Sequence, residues 1–252
     1  MELPHEFLTF VAIGLAAQLV DGALGMAYGV ITASMLLAFG LPPAIASASV
    51  HNAEVAVTGV SGLSHGYFGN INKRLLLSLA IPGVIGGIVG AVLVSYIRWP
   101  WLKPMVALYL MFLGVLLLVR VWRGARGEAH VRGMTPLALI AGFLDAVTGG
   151  GWGSLTTSSL VARHHEPRVA IGTAHAAKFF VSLTISLVFL ATLGFNNAQI
   201  VLGLMTGGVI AAPFAAWITR RVPARLMMGV VGTVVILLGM RTLAIFAGWM
   251  AP

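Results

Sequence analysis

The sequence has no cysteine and very few charged residues. The first absence excludes disulfides and thiolate metal sites. Charged residues make up only 9% of the 252 residues, whereas they are about a quarter of a typical soluble domain. Apolar runs long enough to cross roughly 30 Å of hydrocarbon recur along the whole chain. The sequence therefore predicts an all-α, polytopic helical membrane protein that lies in a lipid bilayer.

Several functional signatures are also missing. The formal charge is +8, but the basic residues form no tract and no amphipathic face, so nucleic acid is not an expected partner. The P-loop pattern G-x-x-x-x-G-K-[ST] does not occur, which argues against direct coupling to ATP. A zinc helix of the H-E-x-x-H type is also lacking, because His51 is followed by Asn52. We therefore expect no cofactor, no resident metal and no enzymatic activity.

One stretch of the sequence occurs twice at a fixed spacing. Residues 145–159 (DAVTGGGWGSLTTSS) match residues 21–34 (DGALGMAYGVITAS), which lie 124 residues upstream (145 minus 21). The register continues without a gap beyond both stretches. The matched pairs include Asp21 and Asp145, Gly25 and Gly149, Pro43 and Pro167, and His51 and His175. This repeat predicts two membrane units, 1–122 and 134–252, joined by a short cytoplasmic linker at 123–133.

Each unit opens with a glycine-interrupted break between two short apolar halves. Halves of about 11–15 residues reach roughly 16–22 Å as helices, too short to span the bilayer alone. They form either one broken crossing or a re-entrant hairpin. Lysine and arginine concentrate on the cytoplasmic side, and only the hairpin places most of them there. The cytoplasmic set is then Lys73, Arg74, Arg120, Arg123, Arg126, Arg132, Arg163, Arg168, Arg220, Arg221 and Arg225, with Arg98 and Lys103 outside.

The hairpin interpretation has a topological consequence. Three full crossings follow each hairpin, so the second unit is inverted relative to the first, and both termini lie outside. Inverted repeats built around broken helices are a common plan of secondary transporters.

The breaks themselves are candidates for an anion site. Glycines permit tight turns, and a half-helix that begins there points free N–H donors and a positive dipole end inward. Thr156 follows the second break as a further neutral donor. The alternative is that these glycines only allow close helix packing. Asp21 and Asp145 either cap the half-helices after them or bind a coupling ion or proton.

A second group of polar residues follows each break. His51 and Glu54 in the first unit, and His175 and Lys178 in the second, are each spaced i, i+3 and share a helix face. An ionised side chain at bilayer depth costs at least about 2.5–3.5 kcal/mol, so it requires a partner or a role. Either Glu54 and Lys178 only neutralise each other, or Lys178 attracts an anion while the histidines exchange protons.

These features resemble the sulfite exporter TauE/SafE family. The resemblance covers nearly the whole chain, and its most specific element is TGGGWGS at 148–154, similar to the glycine-rich signature of the family. It implies transport of sulfur-containing or organic anions, such as sulfite, sulfonates and sulfoacetate, across the bacterial inner membrane. The first copy, DGALGMAYG at 21–29, departs from the pattern because it lacks the triple glycine.

We therefore expect a secondary transporter that exports a small anion of the sulfite or sulfonate type by alternating access, with proton coupling left open. The alternative is a proton or divalent-cation transporter that uses the Asp, Glu and His side chains, although the Lys178 ammonium would repel a cation. The sequence does not decide between a monomer and a homodimer. The predicted substrate-binding residues are Gly25, His51, Gly149, Gly150, Gly151, Thr156, His175 and Lys178, and the predicted proton-coupling or charge-tuning residues are Asp21, Glu54 and Asp145.

Overall fold

The computed structural model describes residues 3–123, 133–163, 166–195, 197–219 and 223–250. Within these ranges all regular structure is helical. The helices of the first unit are α1 (Leu3–Leu24), α2 (Tyr28–Ala38), α3 (Pro43–Tyr67), α4 (Lys73–Tyr96) and α5 (Leu102–Arg123). Those of the second unit are α6 (Met134–Thr148), α7 (Trp152–Ala162), α8 (Pro167–Leu193), α9 (Ala198–Thr219) and α10 (Ala224–Phe246).

The helices follow the repeat seen in the sequence. The bounds of α2 and α7 differ by the same 124 residues at both ends, and α3 and α8 each begin at the proline that the repeat aligns. Proline suits the first turn of a helix, because the N–H that it lacks would have no partner there. The two units, of five described helices each, are therefore equivalent in order, and all pairs but α1 and α6 are closely matched in length.

Helices of one unit pack mainly against helices of the other. The equivalent helices α3 and α8 pack together, as do α5 and α10, while α1 packs along α9 and α6 along α4. Glycines allow close approach at these contacts: a Cβ at Gly14 would lie 2.8 Å from the Cα of Leu204, and one at Gly90 would lie 2.6 Å from the carbonyl oxygen of Phe143. The two units thus interlock and do not form separate cores.

One expectation about the breaks is wrong. α1 has 22 residues, or about 33 Å of helix, so the first half of the first break is not too short to span. Residues 10–24 of α1 match α6 at the repeat offset. The additional residues of α1 lie before residue 10 and include Pro4 and Glu6, so the helix begins earlier than the apolar run. The matched α6 has 15 residues, as predicted for a half-helix.

Among the described residues, five helices are long and apolar enough to cross a membrane, by length and composition. These spans are Glu6–Leu24, Lys73–Tyr96, Leu102–Trp122, Pro167–Leu193 and Arg225–Phe246. α3 is also long, at 25 residues, but it carries buried serine, histidine, glutamate and threonine side chains. On α4, Leu77, Ile81, Ile85 and Val89 are exposed at helical spacing, as expected of a lipid-facing side.

The side of the membrane on which each loop lies stays a prediction. Most of the proposed linker falls outside the described residues, and so do four of the predicted cytoplasmic arginines, Arg126, Arg132, Arg220 and Arg221. Trp99 and Trp101 are exposed between α4 and α5, a position that suits side chains at a membrane–water interface.

Candidate functional site

The two breaks lie against each other. A Cβ at Gly150 would lie 2.6 Å from the backbone nitrogen of Val30, and one at Gly29 would lie 2.6 Å from the carbonyl oxygen of Gly149. The Thr157 hydroxyl on α7 donates to the carbonyl oxygen of Gly25 at 2.9 Å. The positive φ angles of Gly25 (69°), Gly149 (78°) and Gly151 (139°) turn the chain sharply between the half-helices.

An aspartate caps the half-helix after each break. Asp21 Oδ1 accepts hydrogen bonds from the backbone N–H of Ala27 (2.6 Å) and of Tyr28 (3.1 Å), at the start of α2. Asp145 Oδ1 accepts from the backbone N–H of Trp152 (3.0 Å), at the start of α7. These bonds satisfy amide donors that have no partner within their own helices. The capping alternative from the sequence is thus present in both units.

The second oxygen of each carboxylate contacts a histidine of the other unit. Asp145 Oδ2 lies 3.2 Å from His51 Nε2, and Asp21 Oδ2 lies 3.5 Å from His175 Nε2. These are equivalent pairs, since 21 and 145, and 51 and 175, share the same offset. The two Nδ1 atoms have different partners: that of His51 lies 2.9 Å from the Ser47 carbonyl oxygen, and that of His175 lies 2.9 Å from the Ser61 hydroxyl.

Glu54 and Lys178 form an ion pair between these two contacts. Lys178 Nζ lies 2.6 Å from Glu54 Oε1 and 3.8 Å from Asp145 Oδ2. The Ser182 hydroxyl donates to Glu54 Oε2 at 3.2 Å. Both partners are almost fully enclosed, with side-chain exposures of 11% for Lys178 and 1% for Glu54. Removal of one partner would therefore leave an uncompensated buried charge.

A small cavity lies where the two breaks meet α8. It contains five of the predicted site residues, namely Asp21, Gly25, Gly151, His175 and Lys178. Its other lining residues are Met26, Gly29, Val30, Trp152, Gly153 and Ala174. The cavity therefore joins both breaks to the histidine and lysine of α8.

The remaining predicted residues lie around the cavity without lining it. The Thr156 hydroxyl donates to the Trp152 carbonyl oxygen of its own helix at 2.7 Å, while Gly149 and Gly150 pack against α2 and α3. His51, Glu54 and Asp145 form the buried group next to Lys178. The contacts of Gly149 and Gly150 are therefore those of close helix packing, which was the alternative to an anion site.

Two residues near the cavity were not selected from the sequence. The hydroxyl of Tyr109, on α5, is buried beside Gly151 and has no hydrogen-bond partner in the described part of the chain. Arg120 was interpreted only as a topological marker, but α5 continues beyond it. Its guanidinium donates to the Ser158 hydroxyl, and Nη1 lies 3.6 Å from Sδ of Met26. Only the packing of α5 against the second break, which the repeat does not reveal, identifies these residues.

The buried group also bears on the cation alternative. His51, Glu54 and Asp145 each offer a ligand atom, and these atoms lie within 4.8 Å of one another. The Lys178 ammonium already contacts two of the three residues. A metal cation would have to displace this ammonium, so the donor set does not suit a cation while Lys178 remains in place.

Comparisons with known proteins agree on what kind of protein this is. A family model described as sulfite exporter TauE/SafE matches residues 10–242. The chain is 44% identical over 248 residues to a probable membrane transporter protein, YtnM, of Bacillus subtilis (strain 168), an alignment that covers 94% of this chain and 83% of the relative. No solved structure matches. With its helical fold, its apolar spans and a family match over almost its entire length, this chain belongs to the TauE/SafE family of membrane transporters.

Proposed function

We propose that the protein is a secondary transporter of the bacterial inner membrane that exports a small sulfur-containing or organic anion, of the sulfite or sulfonate type, together with protons. The observation that carries this proposal is the cavity between the two breaks, into which Lys178, His175 and Asp21 project. A cavity of this kind at a pair of broken helices is where secondary transporters hold their substrates.

The balance of charge around the cavity links the anion to protons. Three carboxylates lie around one ammonium, that of Lys178: those of Glu54 and Asp145 contact it, and that of Asp21 lines the same cavity. With neutral imidazoles, two negative charges are left uncompensated, and an anion is repelled. Protonation of His175, which lines the cavity, reduces this excess and supplies an N–H donor. An anion therefore enters together with protons, and the gradients of the anion and of protons across the membrane set the direction of net flux.

The unequal exposure of the two equivalent pairs supports alternating access. The side chains of Asp145 and His51 are both 0% exposed, whereas those of Asp21 and His175 are 12% and 5% exposed and line the cavity. In a transporter built from two related units, exchange of these two environments would open the site to the other face.

The competing proposal is a proton or divalent-cation carrier, supported by the close spacing of His51, Glu54 and Asp145. Lys178 counts against it, as described above. Catalysis has less support, because each of these three side chains is engaged by another group of the protein, and the cavity lies beside them.

Purified protein in proteoliposomes distinguishes these functions. We expect saturable uptake of radiolabelled sulfoacetate, competition by sulfite, and acceleration when the outside is made more acidic. Isothermal titration should show heat of binding with sulfite and none with divalent cations. Uptake no faster than in empty liposomes, combined with saturable binding of a divalent cation, would replace the anion proposal with the cation proposal.

A further inference from the structure

We propose that Ser61 and His65 of α3 form the path by which protons reach the His175–Asp21 pair from the aqueous phase, and that the equivalent His51–Asp145 pair has no such path. This inference rests on the proton coupling in the proposed function. It gives the two equivalent histidines different roles: His175 exchanges protons with solvent, and His51 is enclosed.

The path begins at the end of α3. His65 is half-buried in the last turns of the helix, beside the exposed Ser64. The segment that follows includes the exposed Tyr67 and Phe68 and ends in Asn72, Lys73 and Arg74, which are all exposed. Asn70 Nδ2 lies 3.4 Å from His65 Nδ1, so in this amide orientation Nδ1 accepts and the ring proton resides on Nε2. An imidazole that is open to polar surroundings on one side can pass a proton inward through its two ring nitrogens.

The next steps lead inward along one face of the same helix. Ser61 and His65 are spaced i, i+4, which places their side chains on a common face. The Ser61 hydroxyl lies 2.9 Å from His175 Nδ1, and the rings of His65 and His175 are 5.9 Å apart between centroids. A hydroxyl both donates and accepts, so Ser61 can pass to His175 a proton that arrives from the side of His65.

The imidazole of His175 completes the path to the cavity. Its Nδ1 contacts Ser61, and its Nε2 lies 3.5 Å from Asp21 Oδ2. A proton that arrives at one ring nitrogen can therefore leave from the other toward the carboxylate. The charged and titratable groups around His175 are Asp21 from α1, Lys178 on its own helix and His65 from α3. The titratable group next to His65 is His175.

The second unit has apolar residues where the path would lie. Positions 61 and 65 correspond to Ile185 and Phe189, both 0% exposed. The ring of Phe189 lies 6.3 Å from the ring of His51, the equivalent of the contact between His65 and His175. Neither the sec-butyl side chain of Ile185 nor the benzene ring of Phe189 carries an exchangeable proton. In the part of the chain that the structure describes, the fold is thus repeated while the polar path is present in one unit only.

The test compares two transport modes of full-length protein in proteoliposomes. Uptake of radiolabelled sulfoacetate driven by an acidic exterior requires net proton entry, whereas exchange of sulfoacetate at equal pH on both sides does not. The variants are His65→Phe, which installs the residue of the second unit, and Ser61→Ala. Ser64→Ala is the matched control, because Ser64 is exposed on the same turns and its hydroxyl bonds to its own helix at Val60.

We expect His65→Phe and Ser61→Ala to slow proton-driven uptake at least about tenfold, since a positioned proton donor or acceptor contributes factors of this size or larger. Exchange should stay at the wild-type rate in both, and Ser64→Ala should match the wild type in both modes. Unchanged proton-driven uptake in His65→Phe and Ser61→Ala would overturn the inference, and so would an equal loss of both modes, which indicates a structural role. If the wild-type protein exchanges sulfoacetate but shows no proton-driven uptake, the inference is overturned but anion transport is not. If the wild-type protein shows no exchange, the proposed function is overturned as well.

Discussion

His51 Nε2 lies 3.2 Å from Asp145 Oδ2, so that the imidazole of the first unit is held by the carboxylate of the second. His175 and Asp21 repeat this relationship in the opposite sense. Each aspartate therefore joins three elements: the half-helix that it ends, the half-helix that it caps and the long helix of the other unit. A change in either break therefore directly alters the surroundings of the charged residues on α3 and α8.

The ion pair of Glu54 and Lys178 can be tested for a role beyond stability. Lys178→Met leaves Glu54 buried without its cation, and we expect a loss of about 3–5 kcal/mol of folding free energy together with loss of anion flux. The double variant Glu54→Gln/Lys178→Met removes both charges, and its melting temperature should return close to that of the wild type. Its anion flux should remain absent, because the cavity has lost its fixed positive charge. Wild-type flux in the double variant would show that the pair is structural only.

Tyr109 provides a more selective test of the cavity. Its hydroxyl is buried beside Gly151 without a partner in the described residues, and an unsatisfied buried hydroxyl costs about 1–3 kcal/mol. Tyr109→Phe should therefore leave the melting temperature unchanged or slightly raised. If the hydroxyl donates to the transported anion, the KM for sulfoacetate rises by roughly tenfold, as expected for one lost hydrogen bond to a charged group. A lowered melting temperature with an unchanged KM would contradict this role.

The contact between the two breaks should not tolerate a side chain. Gly150→Ala places a methyl group 2.6 Å from the backbone nitrogen of Val30, where only backbone movement can make room. We expect a large loss of folded protein, measured by size-exclusion profile and thermal unfolding in detergent. Gly229→Ala is the control, since nothing lies within 4 Å of its Cβ position on α10. Alanine there should stabilise the helix by up to about 1 kcal/mol.

The orientation of the second break can be measured by cysteine labelling, and the chain has no native cysteine to remove. Thr135→Cys and Arg168→Cys lie at exposed positions on either side of α6 and α7. A re-entrant hairpin places both on the cytoplasmic side, so an impermeant maleimide should label them only in inside-out vesicles. Trp99→Cys should be labelled in right-side-out vesicles. Labelling of Thr135→Cys and Arg168→Cys from opposite sides would show that the break crosses the membrane.

Much of the fold could be predicted from the sequence because the repeated residues include prolines and glycines, which have specific backbone roles. Pro43 and Pro167 begin helices, and Gly25 and Gly149 adopt positive φ. The length of α1 could not be predicted in the same way, because its first turns include polar residues and a proline. Helix propensity and packing against α9 extend it beyond the apolar run.

The site was predicted by residue type but not by pairing. The polar side chains of α3 and α8 were identified because charge at membrane depth is costly. An internal offset aligns Asp21 with Asp145 and His51 with His175, yet it does not show that each aspartate contacts the histidine of the other unit. That crossing depends on how α6 packs against α3 and on how Asp21 of α1 meets α8, and the positions of Tyr109 and Arg120 depend on how α5 packs against the second break.

Glu54 and Lys178 occupy the same position of the repeat and contact each other. In an assembly of two identical single-unit chains, that position would bring together either two carboxylates or two ammonium groups, both buried and mutually repulsive. Opposite charges can meet there only where the two copies differ in sequence. The salt bridge thus depends on divergence of the two units at this one position, and a strictly symmetric pair of units could not form it.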